Sequence, residues 1–450
     1  MKRWKRFGAA LLAALTLTAT LTGPVLAAEP ERSPGIAVQM DGKALSFTDA
    51  APEITDDRTF LPFRAVLEAM GAEVSYDEAA STVSAKRDGV ELAMTLGQTG
   101  LTITEDGETR TQEMDAAPYI NPNNNRTYVP VRYAAEAFGY NVGWDSSSRT
   151  VILADVDALF GDATFELMDG FAAYCAKKES GQNMSVTGNL SLDMTGKSGQ
   201  FPPEPLKIKG SVDGVMGEKG VQLTGKLNAA GLDKLANVPV WVRLLSDVSA
   251  ELRFDLDSMM LYVSAPSVLT GGTGNTWYSV DLGAYQAQLL AGLDMNQLAQ
   301  AEEASIREAL VMVMRSLPLD NSANSYAVLK EMAQLYTDML SDQAFTRNGS
   351  KYTAKTVLDG LVELETTLTK KGDDVVSVDL KMTASAEEEG MKMDIAMTEH
   401  ASPDKVDIAM DMTVSGDQAD IIFHMDLNCL PTAKTPQTQP PKGVTVTPMA

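Results

Sequence analysis

From Met184 onward, apolar residues recur at every second position. Met184, Val186, Leu190, Leu192 and Met194 form one run, Leu206, Ile208 and Val212 a second, Val221, Leu223 and Leu227 a third, and Val248, Leu252, Phe254 and Leu256 a fourth. Period two places these side chains on one face of successive strands and the intervening polar residues on the other, the pattern of an antiparallel meander with one buried face. Gly188, Gly210 and Gly225 fall on the apolar side of three successive strands. A missing side chain there permits a bend or a close approach, which predicts a strongly curved sheet. Residues 260–263 and 277–282 read as further strands with a loop over 267–275, and strands resume around 352–357, 362–369, 375–384, 391–397, 406–414 and 421–427. Helical spacing marks Phe165, Met168, Ala172 and Cys175, then residues 284–316 with a break near Asp294, then 325–340 beyond Pro318. The tail, 431–450, is rich in Pro, Thr and Gln and is expected to be disordered.

The first third follows a repeat. Arg58-Thr59-Phe60-Leu61-Pro62-Phe63-Arg64 and Glu68-Ala69-Met70-Gly71 recur as Arg126-Thr127-Tyr128-Val129-Pro130-Val131-Arg132 and Glu136-Ala137-Phe138-Gly139, an offset of 126 − 58 = 68 residues. The match continues through Val74/Val142, Tyr76/Trp144, Asp77/Asp145 and Val83/Val151, so two copies of one structural unit are present. In each copy a short strand runs into Pro62 or Pro130, where the first helical turn tolerates a missing N–H, and Gly71 or Gly139 ends the helix in a left-handed cap. Arg64 with Glu68, and Arg132 with Glu136, stand four apart on one helix face. They predict a buried or half-buried ion pair fixing the helix on its sheet, with a binding role as the other reading. Asp77 or Asp145 opens a turn by bonding its own backbone. Asp41-Gly42 marks a hairpin within 36–47, and 91–94 and 101–103 add strands.

The repeated motif resembles the copper amine oxidase N-terminal, or stalk, domain, a module common in exported proteins of Gram-positive-type bacteria. The resemblance covers residues 34–154 and implies a small α+β spacer or interaction unit with no agreed chemistry. In the oxidases the metal and the tyrosine-derived quinone belong to a separate catalytic domain, and copper there needs three imidazoles. This chain has two histidines, His400 and His424, both outside the repeats. Oxidase activity is therefore excluded, the resemblance transfers no site residue, and no cofactor or metal is expected.

The later order of strands, inserted helices and strands, with Trp277-Tyr278-Ser279-Val280-Asp281-Leu282 leading into a helix, resembles the half-barrel lipoprotein carriers and lipid-carrying lipoproteins of bacterial envelopes over residues 160–430. It implies a curved antiparallel sheet wrapped around helices. The lipobox cysteine that many such proteins carry is missing here.

Lys2, Arg3, Lys5 and Arg6 precede an apolar run from Phe7 to Leu21 and the small residues Ala27 and Ala28. This reads as a secretory signal peptide, residues 1–28, the run being short for a span of roughly 20 residues. The mature chain is expected outside the cytoplasm, secreted or in a bacterial cell envelope, with no transmembrane segment. Removing the leader takes four cations from the 37 Lys+Arg and none of the 61 Asp+Glu, moving the net charge from −24 to −28. Such a surface repels nucleic acid and anionic lipid head groups.

Cys175 and Cys429 bracket the second half. Export permits a disulfide between them, worth about 4 kcal/mol for so long a loop, and two separate buried thiols are the other reading. Met391, Met393, Met397, Met410 and Met412 share one side of adjacent strands. They suit ordinary core filling, a deformable surface for acyl chains, or Cu(I). No glycine-flanked serine lies near either histidine, and no Gly-rich phosphate loop or paired-cysteine zinc spacing occurs, so no catalytic residue is assigned.

The expected architecture is α+β: a stalk domain of two small repeats, then a curved antiparallel half-barrel. The expected function is that of a non-catalytic envelope protein binding a lipid-like apolar ligand or another envelope component, with cavity-lining candidates Leu252, Phe254, Met391, Met393, Met410 and Met412. A structural or adhesive protein with a filled core, partnered by cell wall or a surface protein, is the first alternative. A carboxylate-based hydrolase is the second.

Overall fold

The computed structural model describes residues 35–56, 58–105, 107–178, 183–197, 206–230, 247–265, 276–282, 305–315, 319, 325–358, 360–388 and 390–449. The expected signal peptide, the loop 267–275 and residues 284–304 of the expected mid-chain helix lie outside them. The fold is α+β with sheet dominant, 57% strand against 18% helix. Two compact units form, one running to Asp162 and including Leu310–Gln334, the other comprising Ala163–Ala309 and the chain from Leu335 onward.

The first unit holds β1 (Ala37–Met40), β2 (Lys43–Ala44), β3 (Glu53–Thr55), β4 (Arg58–Pro62), β5 (Glu73–Asp77), β6 (Thr82–Arg87), β7 (Val90–Thr95), β8 (Gly100–Glu105), β9 (Glu108–Glu113), β10 (Tyr119–Asn121), β11 (Arg126–Pro130), β12 (Tyr140–Asp145) and β13 (Thr150–Asp155). They form sheets ordered β12-β13-β1-β2, β10-β11-β4-β3 and β5-β6-β7-β8-β9. The hairpin β1–β2 turns through Asp41 and Gly42, both at positive φ, as the right-handed twist of paired strands demands.

β4 and β11 carry the two copies of the motif and pair antiparallel, with Leu61 opposite Val129, Phe60 opposite Pro130 and Pro62 opposite Tyr128. Leu61 and Val129 occupy the same repeat position, so the pairing is centred on equivalent residues. The two motif strands are thereby related by a local two-fold axis, an isologous contact inside one chain. Side chains follow the same logic. Arg58 of the first copy pairs with Asp115, just ahead of the second, and Arg126 of the second pairs with Asp49, just ahead of the first. Arg87 and Asp155, again one repeat position, meet at 2.6 Å, and Glu53 accepts a hydrogen bond at 2.9 Å from Asn121, its equivalent 68 residues on. Identical copies would set like charge against like at these places. Divergence to Arg/Asp and Glu/Asn makes the meeting attractive.

Burial explains why the copies do not fold apart. Leu61, Val66 and Leu67 from the first copy and Val129, Ala134 and Ala135 from the second lie fully buried in one shared core. The repeat helices Phe63–Ala69 and Val131–Ala137 are each about two turns, and Gly71 and Gly139 end them at φ 83°. The expected buried ion pair is corrected: Arg64 and Glu68 meet at 3.2 Å with side chains 60% and 53% exposed, and Arg132 and Glu136 are exposed as well. Helical geometry is the reason. Phe63, Val66 and Leu67 define the buried face, which turns positions 64 and 68 outward.

Residues 310–334 fall within the expected half-barrel by sequence but group with the first unit. There Tyr326 lies over Gly42, where a Cβ would come within 2.7 Å of its ring, and Arg315 lies over Gly139, where a Cβ would come within 2.5 Å of its guanidinium. Leu319 fills the space over Gly143, which admits no side chain.

The second unit is built on one sheet. Its first meander is β14 (Asn183–Gly196), β15 (Leu206–Gly217), β16 (Gly220–Ala230), β17 (Asp247–Asp255), β18 (Met260–Ala265) and β19 (Thr276–Asp281). Its second is β20 (Thr346–Asn348), β21 (Lys351–Leu358), β22 (Val362–Lys371), β23 (Asp374–Glu388), β24 (Met391–Ser402), β25 (Lys405–Ser415) and β26 (Ala419–Thr432). The order is β20 through β26, then β14 through β19, then β27 (Val446–Pro448), a half-barrel sheet of 14 strands. The first and last long strands, β14 and β26, therefore pair in the middle. The helix Glu166–Lys178 packs on β23, with Val375 against Gly170 and Met168, Phe171 and Cys175 buried. Its first turn is capped by the Asp342 carboxylate, which accepts from the Glu166 and Leu167 N–H groups at 2.8 Å each.

The tail departs from expectation. Asn183 donates to the Lys434 carbonyl at 2.8 Å, Arg253 donates to the Gln439 carbonyl, and Thr438 and Gln439 donate to Asp255. β27 then runs parallel to β19. The threonines and glutamines that suggested disorder supply the side-chain donors that tie the tail to the strand ends.

The two ion pairs predict opposite outcomes on truncation. Asp155→Ala takes from a mostly buried guanidinium its buried partner, leaving it only the exposed Asp88 carboxylate, and is expected to destabilise the first unit by about 1–3 kcal/mol. Arg64→Ala, at an exposed helical pair, is expected to cost about 0.5 kcal/mol or less. Urea unfolding midpoints of the two variants test this, and equal losses would refute it.

Candidate functional site

The period-two faces of the second unit stay in register across the sheet. One row perpendicular to the strands reads Gly225, Val212, Gly188, Leu427, Ile408, Glu399, Leu380 and Thr366, passing through β16, β15, β14, β26, β25, β24, β23 and β22. The adjacent row reads Leu227, Gly210, Leu190, Met425, Met410, Met397, Met382 and Leu364 across the same strands. Both are apolar apart from Glu399 and Thr366.

On this face lies an open, almost wholly apolar trough of about 350 Å³, within the range of small-molecule sites. Leu190, Val212, Leu227, Val248, Met425 and Leu427 form its walls, and Gly188 and Gly225 open its floor. The three glycines on the face differ in what they permit. At Gly188 a Cβ would stand 2.5 Å from the Asp426 carbonyl oxygen, and at Gly210 it would meet the Leu190 side chain at 2.8 Å. At Gly225 the nearest atom is the Ala250 carbonyl oxygen at 4.0 Å. The first two glycines serve close packing; the third leaves space.

None of the six cavity-lining candidates read from sequence lines this trough. Leu252 and Phe254 continue the β17 row beyond Val248 and Ala250, toward the strand end. Met410 stands beside the trough-lining Met425, and Met412 beside Phe423. Met391 and Met393 lie at the outer end of β24, 58% and 38% exposed. Alternation defines a face and carries no information on position along the strand, where Gly225 leaves the open space.

Two polar groups on the apolar face escaped the sequence reading. Glu399 is 6% exposed between Leu380 and Ile408, and burial pushes its carboxyl up to about 7. Thr366 is fully buried, and its hydroxyl has no partner among the described residues. A Thr-Glu-His sequence at 398–400 gives no hint of burial; only the phase of alternation, which puts 397, 399 and 401 inward, could have found Glu399.

The polar face holds both histidines. His400 and Asp379 meet at 2.7 Å, as do His424 and Asp411, and the hydrogen bond to Asp411 raises the His424 pKa above its usual value. Each pair joins neighbouring strands on the side opposite the trough, and His424 also approaches Asp426 of its own strand at 3.7 Å. Among the described residues no three His, Cys, Asp or Glu side chains converge as a metal site would require. Cys175 and Cys429 are both buried thiols and are not joined to one another. Burial, foremost, pushes Cys429 up to about 11, so the thiolate needed for exchange is scarce at neutral pH.

In the first unit, Asp77 and Asp145 each accept backbone hydrogen bonds from the residues two and three ahead. Burial opposes ionisation of Asp145, but donation from Ser147 and Ser148 prevails and holds its carboxyl down at about 2. These turns, the dyad-centred strands and the parallel pairing of β1 with β13 define one closed module.

Residues 39–153 match the copper amine oxidase N-terminal domain.

The match begins in β1 and ends in β13, so both repeat copies lie within the one matched segment. It does not extend to the oxidase's catalytic domain. No curated protein matches the chain. No helix among the described residues is long and apolar enough to cross a membrane.

Glu399 predicts a pH signature. Its folded pKa of about 7 lies above the ordinary 4.5, so between these values the folded state holds more protons than the unfolded one, and stability falls as pH rises through the window. The full shift corresponds to about 3 kcal/mol. Glu399→Gln is expected to abolish this loss, so that the variant gains on the parent above about pH 7. Chemical unfolding at about pH 5 and about pH 8 checks it, and parallel pH profiles for the two proteins would count against a buried carboxyl.

Proposed function

We propose that this is an exported, non-catalytic envelope protein in which the copper amine oxidase N-terminal domain serves as a spacer or docking module and the second unit holds one apolar chain in its trough. The observation that carries the reading is the trough itself, with glycine at 225 where a side chain would fit. The signal-like run from Lys2 to Ala28 supports export. Half-buried Met425 in the trough wall, with half-buried Met410 beside it on the next strand, supplies a deformable surface suited to irregular apolar ligands. The proposed partner is a lipid-like molecule of the envelope.

Gly225→Leu tests the reading because it fills the trough without straining the backbone. The chain from Glu29 onward, purified from a bacterial host, is expected to carry a lipid in native mass spectrometry that organic extraction removes. Gly225→Leu is expected to emerge without it and with unchanged circular dichroism. A parent protein that carries no lipid, and takes up none from vesicles of bacterial lipid, would favour the structural or adhesive alternative.

A further inference from the structure

Glu399 lies on the same register row as the trough, two strands beyond its Leu427 wall and with Ile408 between. It is 6% exposed, and on its other side, past Leu380, lies the fully buried Thr366 hydroxyl, which lacks a partner among the described residues. An unpaired buried polar group costs roughly 1–3 kcal/mol, so Thr366 and a desolvated carboxyl on one apolar face call for an account. Position gives one. From Gly225 on β16 to Glu399 on β24 there are five strand steps, about 24 Å, the reach of a long acyl chain lying across the strands. Leu427 and Ile408 pave the way between and are half-buried, not sealed.

Resting on the trough as the seat of an apolar chain, we propose that Glu399 is the polar anchor of that ligand and that the ligand is a single-chain amphiphile with an uncharged, hydroxyl-bearing head, of the monoacylglycerol class. A carboxylic acid both donates and accepts, which complements a hydroxyl or ester, and the Thr366 hydroxyl extends the same chemistry one strand pair further. An anionic head is disfavoured by Glu399 when ionised and by a chain of net charge −24. On this face Glu399 is flanked by Leu380 from β23, Ile408 from β25 and Met397 and Ala401 from its own strand. The helix packed on β23 turns Met168, Phe171 and Cys175 inward. No charged side chain among the described residues contributes to its protonation, which burial alone governs.

The test compares 1-monoolein, oleic acid and oleylamine, offered to the delipidated full chain and followed by native mass spectrometry at about pH 5.5 and about pH 8.5. Monoolein is expected to bind most tightly at the lower pH and to weaken by about tenfold at the higher, as the carboxyl ionises. Glu399→Gln, neutral throughout, should bind monoolein equally at both, and Glu399→Leu should bind the three probes without preference. If Gly225→Leu blocks uptake while the Glu399 variants leave preference and pH dependence unchanged, the trough stands and the anchor is refuted. Preference for oleylamine rising with pH would overturn the uncharged head. Binding of no probe by the parent would refute trough and anchor together.

Discussion

Everything in the second unit depends on the pairing of β14 with β26. Fourteen residue pairs, from Asn183 opposite Thr432 to Gly196 opposite Ala419, join the first meander to the second without a slip. A shift of one residue would turn every side chain of one half to the other face. Here Val186 meets Cys429, Leu190 meets Met425 and Met194 meets Ile421, apolar against apolar along the whole seam. Two meanders that could each offer only a narrow apolar strip thus become one continuous face, broad enough to carry a helix on β23 and an open trough some strands away. The pairing is of high sequence separation, so the residues that define the trough come together only when the ends of the unit meet.

That seam marks the limit of what the sequence could tell. Period two announced nearly every strand of the sheet and which face is wet, because alternation is a local property. Strand order is not local. Nothing in the residues of β14 specifies β26 over another apolar strand, and the position of the trough follows from neighbours that only the order supplies. Hence Leu252, Phe254 and the methionines share the face of the trough without lining it, whereas Gly225, noted for curvature, leaves its open space. The tail failed for a related reason: composition registers what a segment cannot bury, and Thr438, Gln439 and Lys434 are held by hydrogen bonds to strand ends, not by burial.

The first unit was legible in a different way. An ungapped repeat establishes two copies, and the proline and glycine that bound each helix are local signals that work the same way in any context. How the copies meet was hidden. The β4–β11 pairing places Leu61 on Val129, and a two-fold contact sets each residue near its own equivalent. Sequence comparison treats Arg87 against Asp155 and Glu53 against Asn121 as failures of the repeat. In the fold they are what lets the copies associate, since a duplicated charge would face itself. Mismatches in a tandem repeat therefore report on the axis as much as the matches report on the unit, and the exposed Arg64–Glu68 pair, matched in both copies, contributes little to holding it.

The choice between a carrier and a filled structural core turns on what the apolar face leaves undone. At Gly188 and Gly210 a side chain has nowhere to go, so glycine there is required by packing and argues for neither reading. At Gly225 a Cβ would meet no atom closer than the Ala250 carbonyl oxygen at 4.0 Å, and an apolar residue there would suit a strand better than glycine does and would bury apolar surface worth about 1.5–3 kcal/mol. Glu399 repeats the point five strands away, for a leucine in its place would match Leu380 and Ile408 and relieve a buried carboxyl of its desolvation. A sheet selected only for a dry core would take both substitutions. Open space at one end of a register row and a buried carboxyl toward the other are the two features that the proposed ligand, with its apolar chain and polar head, would account for together.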